Sequence, residues 1–338
     1  MSKVSVFGLD LAKDVFDVAG LTTREKLVTK RRLRRKGLFA WFAKQERTVV
    51  AMETCPGSHY CARELAALGF EVRMIPASET AQYRQGRHKN DARDAIAIAR
   101  AALSEQVRPV QVKSEEQLQV QALYRQRELL LKQRIAIGNQ MRMQLLEFGV
   151  ALKKNDAALL AGVREALEDS HLPQLFRDEV LARSYRHFQE LEEQVAQLGR
   201  VINREVCRNE LGRVLLEEPG IGPMTAGYLI GVMGGHSCAR NGRGFSAKIG
   251  LVPRQNSSGG KDKLGSITRV GDRTMRALFI QGARSLLSRA KDSALAEWGR
   301  EVARRRGYFK AVVAVANKLA RHAWAIMYRH AQGGEVLA

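Results

Sequence analysis

The apolar residues of this chain change their period near residue 113, and that change limits the folds open to it. Before it, short strand-like runs alternate with brief helical stretches; after it the chain is Gln- and Arg-rich, carries no proline from Glu115 until Pro173, and spaces its apolar residues for helix. VSVFGLDL, DVFDVAGL and EKLVTKRRL are each short and closed by Gly, Asp or a basic cluster, which predicts three consecutive strands in an antiparallel meander. A helical stretch near residues 36–46 precedes TVVAMET, an apolar run suited to a buried strand; a helix from about Ser58 and the strand EVRMI follow. The coherent assembly is an α/β domain, a mixed sheet with helices over its faces, and such sheets place ligands at the carboxyl ends of their strands.

Beyond Glu115, Val120, Leu123, Leu130, Ile137 and Met141 keep a three-and-four spacing, with Arg127 and Arg134 on the same stripe. Phe188, Leu191, Val195, Leu198 and Ile202 form a second seam at a/d spacing. These seams fit a coiled-coil arm or, equally, an ordinary bundle, because so few heptads do not separate the two. A third region opens at EEPGIGPMTAGYLI, with helical signals near residues 223–234, 272–290 and 309–330. It predicts a mainly α domain with a helix-hairpin-helix-like element at PGIG. Domain boundaries are therefore expected at 1–112, 113–212 and 213–338.

Charge narrows the partners. With 56 Lys and Arg against 35 Asp and Glu the chain carries +21, while 45% hydrophobic residues suffice for real cores and exclude wholesale disorder. So many uncompensated cations call for a polyanion, and nucleic acid is favoured over an anionic membrane surface. No run approaches the roughly 18 to 20 apolar residues of a membrane span, and MSKVSVFGLDLAKD lacks a signal-peptide core, so a cytoplasmic, nucleoid-associated protein is expected. Cys55, Cys61, Cys207 and Cys238 have no CxxC or CxxH companion and are read as reduced, small apolar residues. His59, His88 and His322 are isolated, which leaves a histidine-based metal site unsupported.

The acids are better placed. Asp10 ends the first apolar strand and Glu53 the later one; on neighbouring strands their carboxylates converge at one sheet edge, where a hard divalent cation finds rigid oxygen ligands. Asp91 and Asp94, in NDARDAIAIARAAL, share one helix face by their i, i+3 spacing, with Asn90 or Asp91 as cap and Ala95, Ile98 and Ala102 as the apolar face. Four such acids can hold two Mg²⁺ ions about 4 Å apart and act on a phosphodiester. Each acid taken singly is also explained as a turn residue or a helix cap; their coincidence in a chain this basic favours the metal.

Several basic features suit phosphate. Gly220 and Gly222 of the PGIG turn expose backbone N–H groups at a helix start, as an ordinary αα-corner also does. In VPRQNSSGGKDKLGSITRV, Ser257 and Ser258 lie among Arg254, Lys261, Lys263 and Arg269, as a passive phosphate grip or with one serine as a nucleophile. The runs holding Arg31, Arg32, Arg34 and Arg35, and Arg304, Arg305 and Arg306, are candidate phosphate tracks. Tyr308 and Phe309 beside the second run are placed to stack on an unpaired base, although for Phe309 core packing is the favoured role.

With these pieces assembled, the chain resembles the transposases of insertion-sequence family one-hundred-and-ten, the DEDD recombinases that include the Piv-type DNA invertases. The resemblance rests on FGLDLAKDVFDV, VVAMETCPGSHY and GRHKNDARDAIAIA, then EEPGIGPMTAGYLI, FSAKIGLVPRQNSSGGK and ITRVGDRTMRALFIQGA, in order. It implies a RuvC-like, RNase H-like N-terminal domain whose acidic tetrad is Asp10, Glu53, Asp91 and Asp94, holding Mg²⁺, with Mn²⁺ not separated from it. It also implies a serine nucleophile from the C-terminal domain, Ser258 by the SG motif with Ser257 one register away, and a phosphoserine intermediate. Dimers joining into tetramers, and an element-encoded guide RNA that pairs with target and donor DNA, are further implications; Arg127 and Arg134 would add contacts to that polyanion. Two other readings keep the same residues: a RuvC-like resolvase hydrolysing DNA through the acids alone, and a non-enzymatic nucleic-acid scaffold.

Overall fold

In a computed structural model the chain is described over residues 3–84, 91–255, 264–290 and 293–333, with backbone alone at Asp91, Ala92, Ser237 and Leu264. It divides into two compact units, Met1–Ser114 and Glu115–Ala338.

Among its described residues the first unit has five strands and four α-helices: β1 (Val6–Asp10), β2 (Val15–Leu21), β3 (Leu27–Arg34), α1 (Leu38–Phe42), β4 (Val49–Glu53), α2 (Ser58–Ala67), β5 (Glu71–Ile75), α3 (Ala77–Thr80) and α4 (Asp91–Leu103). The strands stand in the order β3-β2-β1-β4-β5, antiparallel from β3 to β1 and parallel from β1 to β5. The expected meander and buried central strand are both present. Alternation along the strands sorts two cores. Phe7, Leu9, Phe16, Val18, Val50 and Met52 pack with Phe42 and Leu65 from α1 and α2 on one face, while Val6, Leu21, Ala51 and Ile75 pack with Ile98, Ala99 and Ala102 of α4 on the other. Gly8 explains the closeness of α4: a Cβ there would stand 2.0 Å from the Ala95 carbonyl oxygen. The edge strand β3 is exposed and carries Lys30, Arg31, Arg32 and Arg34, charges that discourage pairing with another edge.

The second unit opens with α5 (Glu115–Glu147) and α6 (Asp156–Glu168); a π-helical stretch, Phe176–Leu181, leads into α7 (Ala182–Arg208). The two expected seams meet within the chain, Leu130 of α5 against Leu191 and Val195 of α7. At the far end α6 closes over them, where Met141, Leu145, Leu159, Val163 and Phe188 form a core of their own. Arg134 is accommodated in its apolar stripe because Asp156 and Glu192 neutralise it and Phe188 lies under its guanidinium, 4.9 Å from ring centroid to carbon.

Then come α8 (Glu210–Glu217), α9 (Pro223–Gly227), running on as a π stretch to Val232, α10 (Gly242–Lys248), the short strands β6 (Pro253–Gln255) and β7 (Leu264–Ile267), α11 (Arg273–Arg289), α12 (Ala294–Arg306) and α13 (Tyr308–Ala331). Asn209, Asn241, Asp272 and Ser293 each accept a backbone N–H with the side chain and so start α8, α10, α11 and α12. Tyr124, Ile202, Phe245, Phe279 and Leu319 share one core, so the near ends of α5 and α7 are rooted among the C-terminal helices. Phe309, expected in a core, is 75% exposed and meets Tyr308 edge to face: it stands at the start of α13, one turn before the buried stripe begins at Ala311 and Val312. No helix among the described residues is long and apolar enough to cross a membrane.

Candidate catalytic site

Register places the acids. Gly8 and Asp10 point to one face of β1, and Gly8 lies beneath α4, so Asp10 emerges on the α4 side at the strand's carboxyl end. Gly8 pairs with Ala51 in the parallel ladder, which puts Glu53 at the end of the neighbouring strand on the same side. Asp94 lies in the first turn of α4, buried, one residue before the carbonyl that covers Gly8. Asp91 opens the same helix, and its side chain lies outside the described residues.

A single guanidinium joins two of these acids. Arg84 places Nη2 3.2 Å from Glu53 Oε2 and Nε 2.9 Å from Asp94 Oδ1, and the Thr80 hydroxyl donates to the same Glu53 oxygen at 3.1 Å. On the other flank Asp17, paired in register with Asp10 and only 7% exposed, accepts from Arg32 Nε and Nη2 at 2.9 to 3.3 Å. Sequence reasoning missed Asp17, Thr80 and Arg84. Asp17 was legible only through the hairpin register that sets it opposite Asp10.

The field at this edge is negative enough to be felt by a bystander. Cys55, two residues after Glu53, has its thiol raised to about 11, first by burial and then by the charges of Asp10 and Glu53. One thiol lies within the field of both carboxylates. His59 is shifted the other way by burial and by Lys113 and Arg63, and its Nδ1 accepts the Lys113 N–H.

The donors fit a hard divalent cation: carboxylate oxygens from two strand ends and one helix turn, two of them already gathered around one positive charge. Among the described residues no three His, Cys, Asp or Glu side chains form a ready metal cluster, Asp91 being outside that set.

Elsewhere the expected contacts fall into distinct settings. Ser257, Ser258, Lys261 and Lys263 lie outside the described residues, between β6 and β7 in sequence. The base of that hairpin is fixed: Arg276 Nη1 donates to the carbonyls of Ile249 and Val270, and the Thr268 N–H to Val252. Arg254 is exposed on β6, and Arg269, at φ 57°, donates its N–H to Gly250. Gly220 takes φ 95° and packs on Gly282, whose own Cβ would meet the Gly220 oxygen at 2.2 Å, whereas nothing crowds Gly222. Arg31 and Arg34 are exposed; Arg32 is held by Asp17, and Arg35 by the Lys13 carbonyl and the Phe16 ring. Arg134 is committed to its two carboxylates, and Arg127 Nε is buried without a hydrogen-bond partner among the described residues. Arg304, Arg305 and Arg306 end α12, with Arg305 3.6 Å from Glu301.

Comparison with known proteins covers both units. A DEDD-type model described as "Transposase" matches residues 7–149, and "Transposase IS116/IS110/IS902 family" matches residues 212–298. The "Probable family 20 transposase" of Pseudomonas aeruginosa is 39% identical across 96% of this chain and 97% of its own length. "Transposase for insertion sequence element IS1328" of Yersinia enterocolitica is 34% identical over 96% and 97%, and "Transposase for insertion sequence element IS1111A" of Coxiella burnetii 32% over 97% and 91%.

Proposed function

The chain belongs to the IS116/IS110/IS902 family of insertion-sequence transposases, and from that premise we propose that it is a site-specific DNA recombinase whose N-terminal sheet is RNase H-like and whose acids prepare a phosphodiester for attack by Ser258. The observation that carries the reading is the gathering of Glu53 and Asp94 about one cation on the face, and at the sheet edge, where Asp10 emerges. Asp10, Glu53, Asp91 and Asp94 would hold Mg²⁺ or Mn²⁺, which supplies the charge that activates an attacking oxygen and steadies a leaving one.

The chain's own residues then have defined tasks. The sheet keeps the strand-end carboxylates in place, Thr80 orients Glu53, and the Asp17–Arg32 pair fixes the flank of Asp10. Ser258 Oγ forms a bond to phosphorus and gives up its proton while one bridging oxygen leaves as a hydroxyl; religation runs the exchange backwards with a new strand's hydroxyl, so no energy source is consumed. Assembly as dimers joining into tetramers, guidance by an element-encoded RNA, and residence with the nucleoid in the cytoplasm belong to the same proposal, and the +21 charge supports a partner that large.

The test incubates purified protein, its flanking transcribed RNA, Mg²⁺ and labelled element-junction DNA, and seeks a protease-sensitive covalent DNA adduct. An adduct abolished by Ser258→Ala and by Asp10→Ala, but not by Ser257→Ala, is the expected result. Cleavage that survives both serine changes and is lost with Asp10→Ala would make the protein a metal-dependent resolvase instead.

A further inference from the structure

Between the start of α10 and one stripe of α13 lies an open cleft of about 540 Å³. Arg243 lines it from α10, and Lys318, Arg321, His322 and Trp324 line it from α13. Lys318, Arg321 and His322 stand at i, i+3 and i+4, so they share a face of the helix, flanking the stripe of Val315, Leu319 and Ala323 that is core. Among the described residues no carboxylate lines the cleft itself.

Two of its four basic side chains are already engaged. His322 meets an acid, with Nδ1 3.1 Å from Glu218 Oε1, and Lys318 Nζ lies 3.6 Å from the centroid of the Trp298 ring. Neither Arg243 nor Arg321 has a carboxylate partner among the described residues. Their spacing is set by backbone: a Cβ on Gly242 would stand 3.2 Å from the Arg321 Cα, so the start of α10 is pressed against α13. Trp324 is equally fixed, its Nε1 donating to the His236 carbonyl at 2.9 Å and its ring stacked on Tyr328. Like charges held together on rigid walls repel one another until an anion enters. Small-molecule sites enclose their ligand; this one is open, and its charged side chains are basic, which suits a length of anionic polymer passing through.

We propose that this cleft grips the phosphodiester backbone of nucleic acid, with Arg243 and Arg321 each pairing with a phosphate and Lys318 adding charge behind them. Such contacts set register and affinity without reading bases. The inference rests on the recombinase reading only in taking nucleic acid as the polyanion.

The experiment measures anisotropy of labelled 30-mer duplex DNA and of labelled 30-mer RNA against the full chain across a salt series. Wild type is compared with Arg243→Gln/Arg321→Gln and with Arg186→Gln/Arg200→Gln, a control on α7 with the same change of charge. On the polymer the cleft holds, the first variant loses about 1.8 from the slope of log affinity against log salt for DNA, or about 1.4 for RNA, uniformly across sequences, and the control keeps the wild-type slope. A loss confined to DNA or to RNA identifies which polymer lies there. An unchanged slope on both polymers, or an equal loss in the control, overturns the proposal. Wild type that binds neither polymer overturns instead the reading beneath it. Both cleft arginines are exposed, so a melting curve matching wild type separates lost contact from lost fold.

Discussion

Arg84 sits where the proposed chemistry needs a metal. Its guanidinium spans Glu53 and Asp94, whose side chains are 20% and 7% exposed, and without some cation two shielded carboxylates would face each other. A divalent ion held by these carboxylates would displace this contact, so Arg84 would compete with the metal while it stabilises the metal-free arrangement. Arg84→Ala should bind Mn²⁺ about tenfold more tightly, a difference of about 1.4 kcal/mol, as read by the free Mn²⁺ electron-spin-resonance signal. Equal or weaker affinity would show that the arginine does not occupy the cation's place. Cys55 offers a reading of the same carboxylates without metal. Its thiol, at about 11 against an ordinary 9, stays protonated at pH 8; Asp10→Asn and Glu53→Gln each remove a charge that raises it, so the thiolate fraction and the rate of alkylation rise. Mass spectrometry of iodoacetamide labelling in metal-free buffer checks this, and unchanged rates would place the carboxylates elsewhere. The sign for stability follows. From pH 9 to 11 the folded state keeps a proton at Cys55, and at Cys238, that the unfolded chain has lost, so both contributions are whole below 9 and fall away as pH rises through that window.

At the scale of elements, α4 must lie against β1 without a side chain between them, and Gly8 permits it. Gly8→Ala would put a methyl group 2.0 Å from the Ala95 carbonyl oxygen and force the helix outward, carrying Asp94 away from Glu53. The expected cost is about 3 kcal/mol, seen as a lowered denaturation midpoint at unchanged m-value; a midpoint within error of wild type would contradict the packing. The strands were legible because apolar alternation and polar turns mark them, and the positions of Asp10, Glu53 and Asp94 because the first two end strands and the third lies in the first turn of a helix. Arg84 was not legible. It follows a short turn after α3, and nothing local tells a guanidinium that bridges two carboxylates from one that faces solvent. The same holds for Arg134, which sits on an apolar stripe as a ligand-binding cation would; Asp156 and Glu192, distant in sequence, decide otherwise. Phe309 shows the reverse error, an aromatic residue assigned to the core by its type and exposed by its place one turn before the buried stripe. The helix α12 had no expectation at all, since its basic run ARRR outweighs the small buried stripe of Ala296 and Gly299.

At the scale of the whole molecule, the chain is two units with separate cores: the sheet and its helices in Met1–Ser114, and the helical core about Phe279 and Leu319 in Glu115–Ala338. Stability lost in one core therefore need not be lost in the other. The second unit has its own counterpart to Gly8, since a Cβ on Gly282 would meet the Gly220 oxygen at 2.2 Å and push α11 from the PGIG turn. The pair gives a reciprocal test by hydrogen exchange. Gly8→Ala should speed exchange in β1, β4 and α4 while leaving α11 and α13 at wild-type rates, and Gly282→Ala should do the converse. Acceleration of all five elements by either substitution would show one cooperative fold, and the acids of the first unit would then share their stability with the cleft of the second. Independent protection would mean instead that loss of strand cleavage in Asp10→Ala and loss of salt-dependent binding in Arg243→Gln/Arg321→Gln can be assigned to separate units of the same chain.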